Sequence, residues 1–231
     1  MVSQIPPSPE VEVIYPDSDG QPMADNTKQF RWIVVIKENL ENCFRDRADV
    51  FVAGDLLWYP VEGNNKIRQA PDVLVAIGRP KGDRGSYMQW REGNLPPQVV
   101  FEVLSPGNTR AEINRKLLFY NQYGVQEYYL YDPDTNALSG WLRRDDFLDV
   151  IDPIADWVSP MLGIRFDLSG SELRIFGPDG QLFLTYGEIA QRAEQAEERA
   201  EQAEERAEQA EERARRLEER LRAMGIDPNQ V

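Results

Sequence analysis

The chain has 231 residues, no histidine, one cysteine, and 40 acidic against 26 basic side chains, a formal charge of −14. Without histidine there is no Ser-His-Asp or Cys-His nucleophile and no His-based zinc or haem site, and the lone thiol of Cys43 excludes internal disulfides and Cys-based zinc clusters. Catalysis must rest on carboxylates, lysine, hydroxyls or a hard metal ion, and a single thiol fits a reducing compartment, so a cytoplasmic protein is expected. Met1 to Pro9 is polar and proline-rich, without the basic or apolar region of a signal peptide, and no stretch nears the roughly 20 apolar residues that span a bilayer. A helix is expected over 27–44, capped by Asn26 or Thr27, with Phe30, Ile33, Val34 and Leu40 at helical spacing. Short β-type runs follow at 50–53, 56–60, 72–77 and 99–104. A second helix fits 109–123 and ends at Gly124; further strands are expected at 127–131, 137–143, 147–150 and 173–176, between Asp-Pro and Pro-Asp-Gly turns. Helix, strands, helix, strands is the order of an α/β domain with a central mixed sheet flanked by helices.

The composition changes near residue 186. From there AEQAEER repeats three times, and apolar residues fall at 186, 189, 193, 196, 200, 203, 207, 210, 214, 217, 221 and 224. Steps alternating between three and four make a heptad with a and d filled, on a rod of about 57 Å at roughly 1.5 Å per residue. Arg occupies g at 192, 199, 206 and 213, and Glu occupies the following e at 197, 204, 211 and 218. A g-to-e′ offset of five pairs opposite charges between parallel helices, whereas the Ala-rich heptads hold no Arg three or four residues from a Glu. A homo-oligomer through a parallel coiled coil over 186–224 is expected; a solvated single helix is the alternative, since Ala at a and d buries little surface. The expected organisation is a domain at 1–185, a coil at 186–225 broken by Gly225 and Pro228, and a polar tail at 226–231.

Three segments carry potential chemistry. Asp72 opens an apolar strand after a proline in QAPDVLVAIG, Glu102 interrupts the apolar run of PQVVFEVLSPG, and Lys116 lies on an amphipathic helix beside Leu117, Phe119 and Tyr120. An acid in a buried strand is costly unless paired or metal-bound. Two carboxylates from adjacent strands offer the oxygen-rich, part-hydrated site that Mg²⁺ prefers, and a neighbouring lysine would orient or deprotonate water or neutralise developing charge. Each residue also has a purely structural reading. Asp72 would cap backbone N–H groups, Glu102 would form a buried salt bridge to Arg68, Arg110 or Lys116, and Lys116 would pair with Glu112 one turn away. Arg79, Lys81 and Arg84 in the loop 78–87 would grip a phosphate backbone or simply be solvated, and the glycines there lack the Gly-Lys-Ser/Thr ending of a P-loop. Trp58, Tyr59 and Trp90 would stack on bases or pack in the core, and Ser105 has no histidine partner.

Pro71-Asp72-Val73, the run Glu102 to Pro106 (EVLSP), Lys116 and GVQEYYLYDP at 124–133 together resemble the Uma-type family of putative restriction endonucleases, within the PD-(D/E)XK nuclease superfamily, over roughly residues 10–180. The resemblance implies a restriction-endonuclease-like α/β core and Mg²⁺-dependent hydrolysis of DNA phosphodiester bonds, with Mn²⁺ as a possible substitute. It implies Asp72 and Glu102 as metal ligands and Asp72, Glu102 and Lys116 as the catalytic set. The superfamily pattern has lysine two residues after the second acid, but position 104 is Leu, so Lys116 stands as a migrated lysine, and Glu112 would either orient it or support the site from further out. The alternative is a nuclease-like scaffold that no longer cuts and serves as an oligomeric interaction module. Net charge weighs against general DNA binding: 13 acids and 8 bases lie in 187–231, leaving 27 and 18 in the rest, so the core is acidic by itself.

Overall fold

The structure, a computed structural model, describes residues 13–18, 20 and 23–224, apart from the side chain of Leu221. Met1 to Pro9, the breakers Gly225 and Pro228, and the tail at 226–231 lie outside the described residues. The chain divides into two compact units between Phe183 and Leu184.

In the first unit α1 (Thr27–Cys43) starts where expected, with the Asn26 side chain accepting from Gln29 N at 2.9 Å. Its buried stripe runs through Trp32, Ile33, Ile36 and Leu40, and Phe30, expected to face inward, is 48% exposed. Six strands form the main sheet: β1 (Val50–Gly54), β3 (Val73–Ile77), β5 (Val99–Val103), β6 (Glu127–Asp132), β7 (Ala137–Arg144) and β8 (Phe147–Val150). They lie in the order β1-β3-β5-β6-β7-β8, with β5 and β6 parallel and every other neighbouring pair antiparallel. A parallel pair needs a crossover, and α2 (Arg110–Gln122) supplies it. Thr109 and Glu112 close a capping box at its start, and Gly124, at φ 91°, ends it in a conformation that favours glycine. Four short elements carry no usable period and were not expected from sequence or were expected longer: β2 (Trp58–Tyr59), β4 (Tyr87–Met88), β9 (Arg165–Asp167) and the 3₁₀ turn Gln89–Glu92. β10 (Arg174–Phe176) pairs with β9, and β2 with β4.

Side-chain alternation divides the sheet into two faces. Val73, Val75, Val99, Phe101, Val103, Tyr129 and Tyr131 pack with α1 and with Phe166 and Ile175 of the β9–β10 pair. Leu74, Ala76, Val100, Tyr128 and Leu130 pack with Tyr120 of α2 on the opposite face. β3, β5 and β6 are buried on both faces, which is why they read as continuous apolar runs. Trp58 and Tyr59 are fully buried core residues, not base-stacking ones.

A buried acid lies on the α1 face. Glu127, fully buried at the start of β6, accepts from Met161 N at 2.7 Å, from Tyr129 Oη at 2.9 Å and from the Ser159 hydroxyl. Burial pushes its carboxyl above the ordinary 4.5, against the pull of those three donors. The folded state therefore holds this proton more tightly than the unfolded chain, so the contribution of Glu127 to stability is fully present below about 4.5 and is lost as pH rises through the folded value. Glu127→Gln is expected to flatten that part of the stability–pH curve, measured as urea midpoints between pH 4 and 8.

The second unit is one helix, α3 (Tyr186–Ala223). Thr185 and Glu188 exchange capping bonds at its start: Thr185 N donates to Glu188 Oε2 at 2.8 Å, and Glu188 N donates to Thr185 Oγ1 at 3.3 Å. Of its described ion pairs, Glu212–Arg216 starts at the end of the third AEQAEER repeat and Glu218–Arg222 lies beyond the repeats. No helix among the described residues is long and apolar enough to cross a membrane.

Candidate active site

Asp72 and Glu102 meet because of sheet register. Val73 pairs with Phe101 across β3 and β5, so Asp72 and Glu102 stand one step further on, and alternation sends both side chains to the α2 face with Leu74 and Val100. Asp72 is 8% exposed and Glu102 3%. Val103 N donates to Asp72 Oδ2 at 2.6 Å, and the Val103 carbonyl accepts from Gln29 Nε2 at 2.9 Å, so α1 and Asp72 clasp the end of β5 from both sides.

α2 brings the third residue. Lys116 Nζ donates to Glu102 Oε2 at 2.6 Å, and four residues on, the Tyr120 hydroxyl donates to Glu102 Oε1. Both carboxylate oxygens of Glu102 are thus held from one helix face. Lys116 remains 27% exposed and opens onto a cleft of about 410 Å³ lined also by Asp25, Asp55, Gln69, Asp72 and Arg115. Asp72, Glu102 and Lys116 therefore converge, as the sequence reading requires.

The structural readings of Asp72 and Glu102 are both met. Asp72 does cap a backbone N–H, and Glu102 does form a buried salt bridge with Lys116, chosen over Arg68 and Arg110. The Glu112–Lys116 reading gives way: the Glu112 carboxylate accepts from Thr109 N at 2.8 Å as part of the capping box, which holds it below the usual range, and it reaches Lys116 only through charge. The side chains of the basic loop have partners within the chain, Arg79 Nε donating to the Gly78 carbonyl at 2.6 Å. Arg84 pairs with Glu92 at 2.7 Å and lies 3.9 Å over the Phe51 ring, while Lys81 Nζ donates to the Phe44 carbonyl at 2.7 Å. Tyr120 escaped the sequence reading as a site residue, although its place four residues after Lys116 put it on the same face.

Electrostatics separate the roles of the acids and the lysine. Burial, then the Glu102 charge, push the Asp72 carboxyl well above its ordinary value, and Lys116 and the Val103 N–H offset only part of this. For Lys116, burial favours the neutral amine, but the Glu102 and Asp72 charges outweigh it and hold the ammonium above its ordinary value. With one lysine beside two acids, Asp72 is the acid driven toward its neutral form, and a divalent cation at its oxygens would favour the charged form. Among the described residues no group of three or more His, Cys, Asp or Glu is arranged to hold a metal ion. The donor set on offer is two carboxylates, which fits Mg²⁺, an ion that keeps several waters and shares one or two carboxylates with substrate oxygens.

A family model, Uma2, described as putative restriction endonuclease, matches residues 7–169. No curated protein matches the chain. Among solved structures the chain is similar to a putative nuclease belonging to DUF820 from Anabaena variabilis, at 17% identity and a TM-score of 0.44, over 62% of this chain and 78% of that one.

Proposed function

This chain belongs to the Uma2 family of putative restriction endonucleases, and from that premise we propose that it is a Mg²⁺-dependent endonuclease hydrolysing DNA phosphodiester bonds. The observation that carries the reading is that Asp72 and Lys116 line one cleft and that Lys116 is bonded, just behind it, to the buried Glu102. Asp72 and Glu102 would hold Mg²⁺, or Mn²⁺ in its place, which would supply Lewis acidity toward a phosphate and activation of water. The chain's own groups do the rest. The Val103 N–H and the Tyr120 hydroxyl fix the two carboxylates in orientation, as supporting hydrogen bonds do around metal ligands. Lys116, kept as an ammonium, is no base; it neutralises charge that grows on the phosphate oxygens as water attacks. Arg115, exposed at the same cleft, adds a second positive charge in a chain that is otherwise acidic.

In the same reading α3 pairs in parallel with a second copy, and a twofold pair of sites addresses both strands of a duplex. Acting on DNA with one unpaired thiol at Cys43, the protein works in the cytoplasm. Nicking of supercoiled DNA in Mg²⁺ tests the reading. Asp72→Ala and Lys116→Ala are each expected to lower the rate by about 10²–10³-fold or more, on the scale of losing one charge stabiliser. Variants that cut as well as the parent would remove these residues from the site. A parent chain that never cuts, yet assembles, would favour the second reading of a non-cutting oligomeric scaffold, which the overall acidity supports.

A further inference from the structure

Tyr128 sits in β6 with no exposure, and its hydroxyl is one of three buried side-chain polar atoms among the described residues without a hydrogen-bond partner, alongside Trp32 Nε1 and Ser86 Oγ. Buried hydroxyls are costly to leave unpaired, and each such group calls for a physical account. The surroundings of Tyr128 supply one. It is two residues before Leu130, which pairs with Glu102 across the parallel strands, so alternation puts Tyr128 on the same face as the acid pair. Its ring packs 5.0 Å from that of Tyr120 and 4.9 Å from that of Trp141. The charges of Glu102 and Asp72 both reach the phenol. A cavity of about 10 Å³ adjoins it, lined by Tyr128, Glu102, Lys116, Asn108, Glu112 and Leu130.

That volume is about one water, and a water is stable there only with two to four polar partners. The partners have capacity to spare. Lys116 carries three N–H donors and spends one on Glu102 Oε2, and each Glu102 oxygen has a second lone pair beside the one already used. We infer that this cavity is a one-water site, in which the water accepts from the Tyr128 hydroxyl and donates to the Glu102 carboxylate. Tyr128 is then a positioning residue, acting through the water as Tyr120 acts directly. Two phenols and one ammonium would then hold the Glu102 carboxylate. The functional half of this inference rests on the reading of Glu102 as a metal ligand; the water site itself rests on burial and volume alone.

Tyr128→Phe keeps the ring and its stacking and removes only the hydroxyl. In the metal-free full chain, ¹⁷O relaxation dispersion counts long-lived internal waters, and the variant is expected to lose one. Mn²⁺ titration followed by electron paramagnetic resonance is expected to show about tenfold weaker binding, the usual consequence of removing a supporting partner of a ligand. An unchanged water count with a raised melting temperature would overturn the site, since the hydroxyl would then be unpaired in the parent. A lost water with unchanged Mn²⁺ affinity would overturn the positioning role. If the parent and Asp72→Ala bind Mn²⁺ equally poorly, the metal reading fails, and the water count still decides the site.

Discussion

Lys116→Met is expected to stop cleavage while tightening the hold on a divalent cation. Lys116 is the counter-ion of Glu102 at 2.6 Å and also acts on Asp72, so its ammonium and a metal ion draw on the same oxygens. At an effective dielectric of about 20, a like charge about 4 Å from a cation costs up to about 4 kcal/mol per unit charge, so its removal should lower the Mn²⁺ dissociation constant at least about tenfold. The metal-free variant is expected to show the opposite trend. Glu102 loses an ionic partner in a nearly dry site, and breaking a buried pair costs about 3–5 kcal/mol. Lys116 is 27% exposed and Tyr120 still donates, so a loss of about 2 kcal/mol is the better figure here. Mn²⁺ at a hundred times its dissociation constant returns about 2.7 kcal/mol. Thermal unfolding should therefore show a lowered midpoint in EDTA that Mn²⁺ restores, while nicking falls by about 10²–10³-fold. A variant that binds Mn²⁺ no more tightly and cuts at the parent's rate would reduce Lys116 to a structural partner of Glu102.

The two acids were legible in the sequence because they break a local rule. Asp72 and Glu102 stand in runs that β3 and β5 bury on both faces, where a charge has no inexpensive place, so their presence alone demanded partners. Their meeting was less legible, because it depends on the register Val73–Phe101, a long-range pairing that no local pattern encodes. Lys116 was legible as a helix residue but ambiguous as a partner. Spacing makes Glu112 and Glu102 equally good suitors, and only the capping box, which draws Glu112 back to Thr109, releases the lysine to turn inward. Tyr120 follows from Lys116 once the inner face of α2 is known, and not before. Arg84 illustrates what spacing cannot reach: a glycine-rich basic loop looks solvated, but Glu92, eight residues on, and the Phe51 ring, distant in the chain, cover its guanidinium. The elements missed or shortened, β2, β4 and β9, have two or three residues each, too few to display a period of two.

The charge pattern of α3 makes the assembly the second sharp test. With Ala at most a and d positions the seam buries little apolar surface, so the g-to-e′ pairs decide whether two parallel helices associate. Arg199 and Arg206 have only Gln and Ala three and four residues away on either side, so replacing both by Glu changes no intrahelical charge contact. In a parallel pair the same replacement turns Arg199–Glu204′ and Arg206–Glu211′ into like-charge contacts, twice over by symmetry. Each of the four contacts swings by about 1 kcal/mol, from about 0.5 favourable to about 0.5 unfavourable, or about 4 kcal/mol in all and roughly 10³-fold in dissociation constant. Sedimentation at low salt is expected to show a dimer for the parent chain and a monomer for Arg199→Glu/Arg206→Glu. High salt is expected to narrow the gap as the contacts are screened. Restoring complementarity from the other side, with Glu204→Arg and Glu211→Arg added, should recover the dimer, because the four contacts are again between opposite charges. A parent chain that sediments as a monomer, or a charge-reversed variant that still dimerises, would leave α3 as a solvated single helix, and the twofold arrangement of cutting sites would go with it.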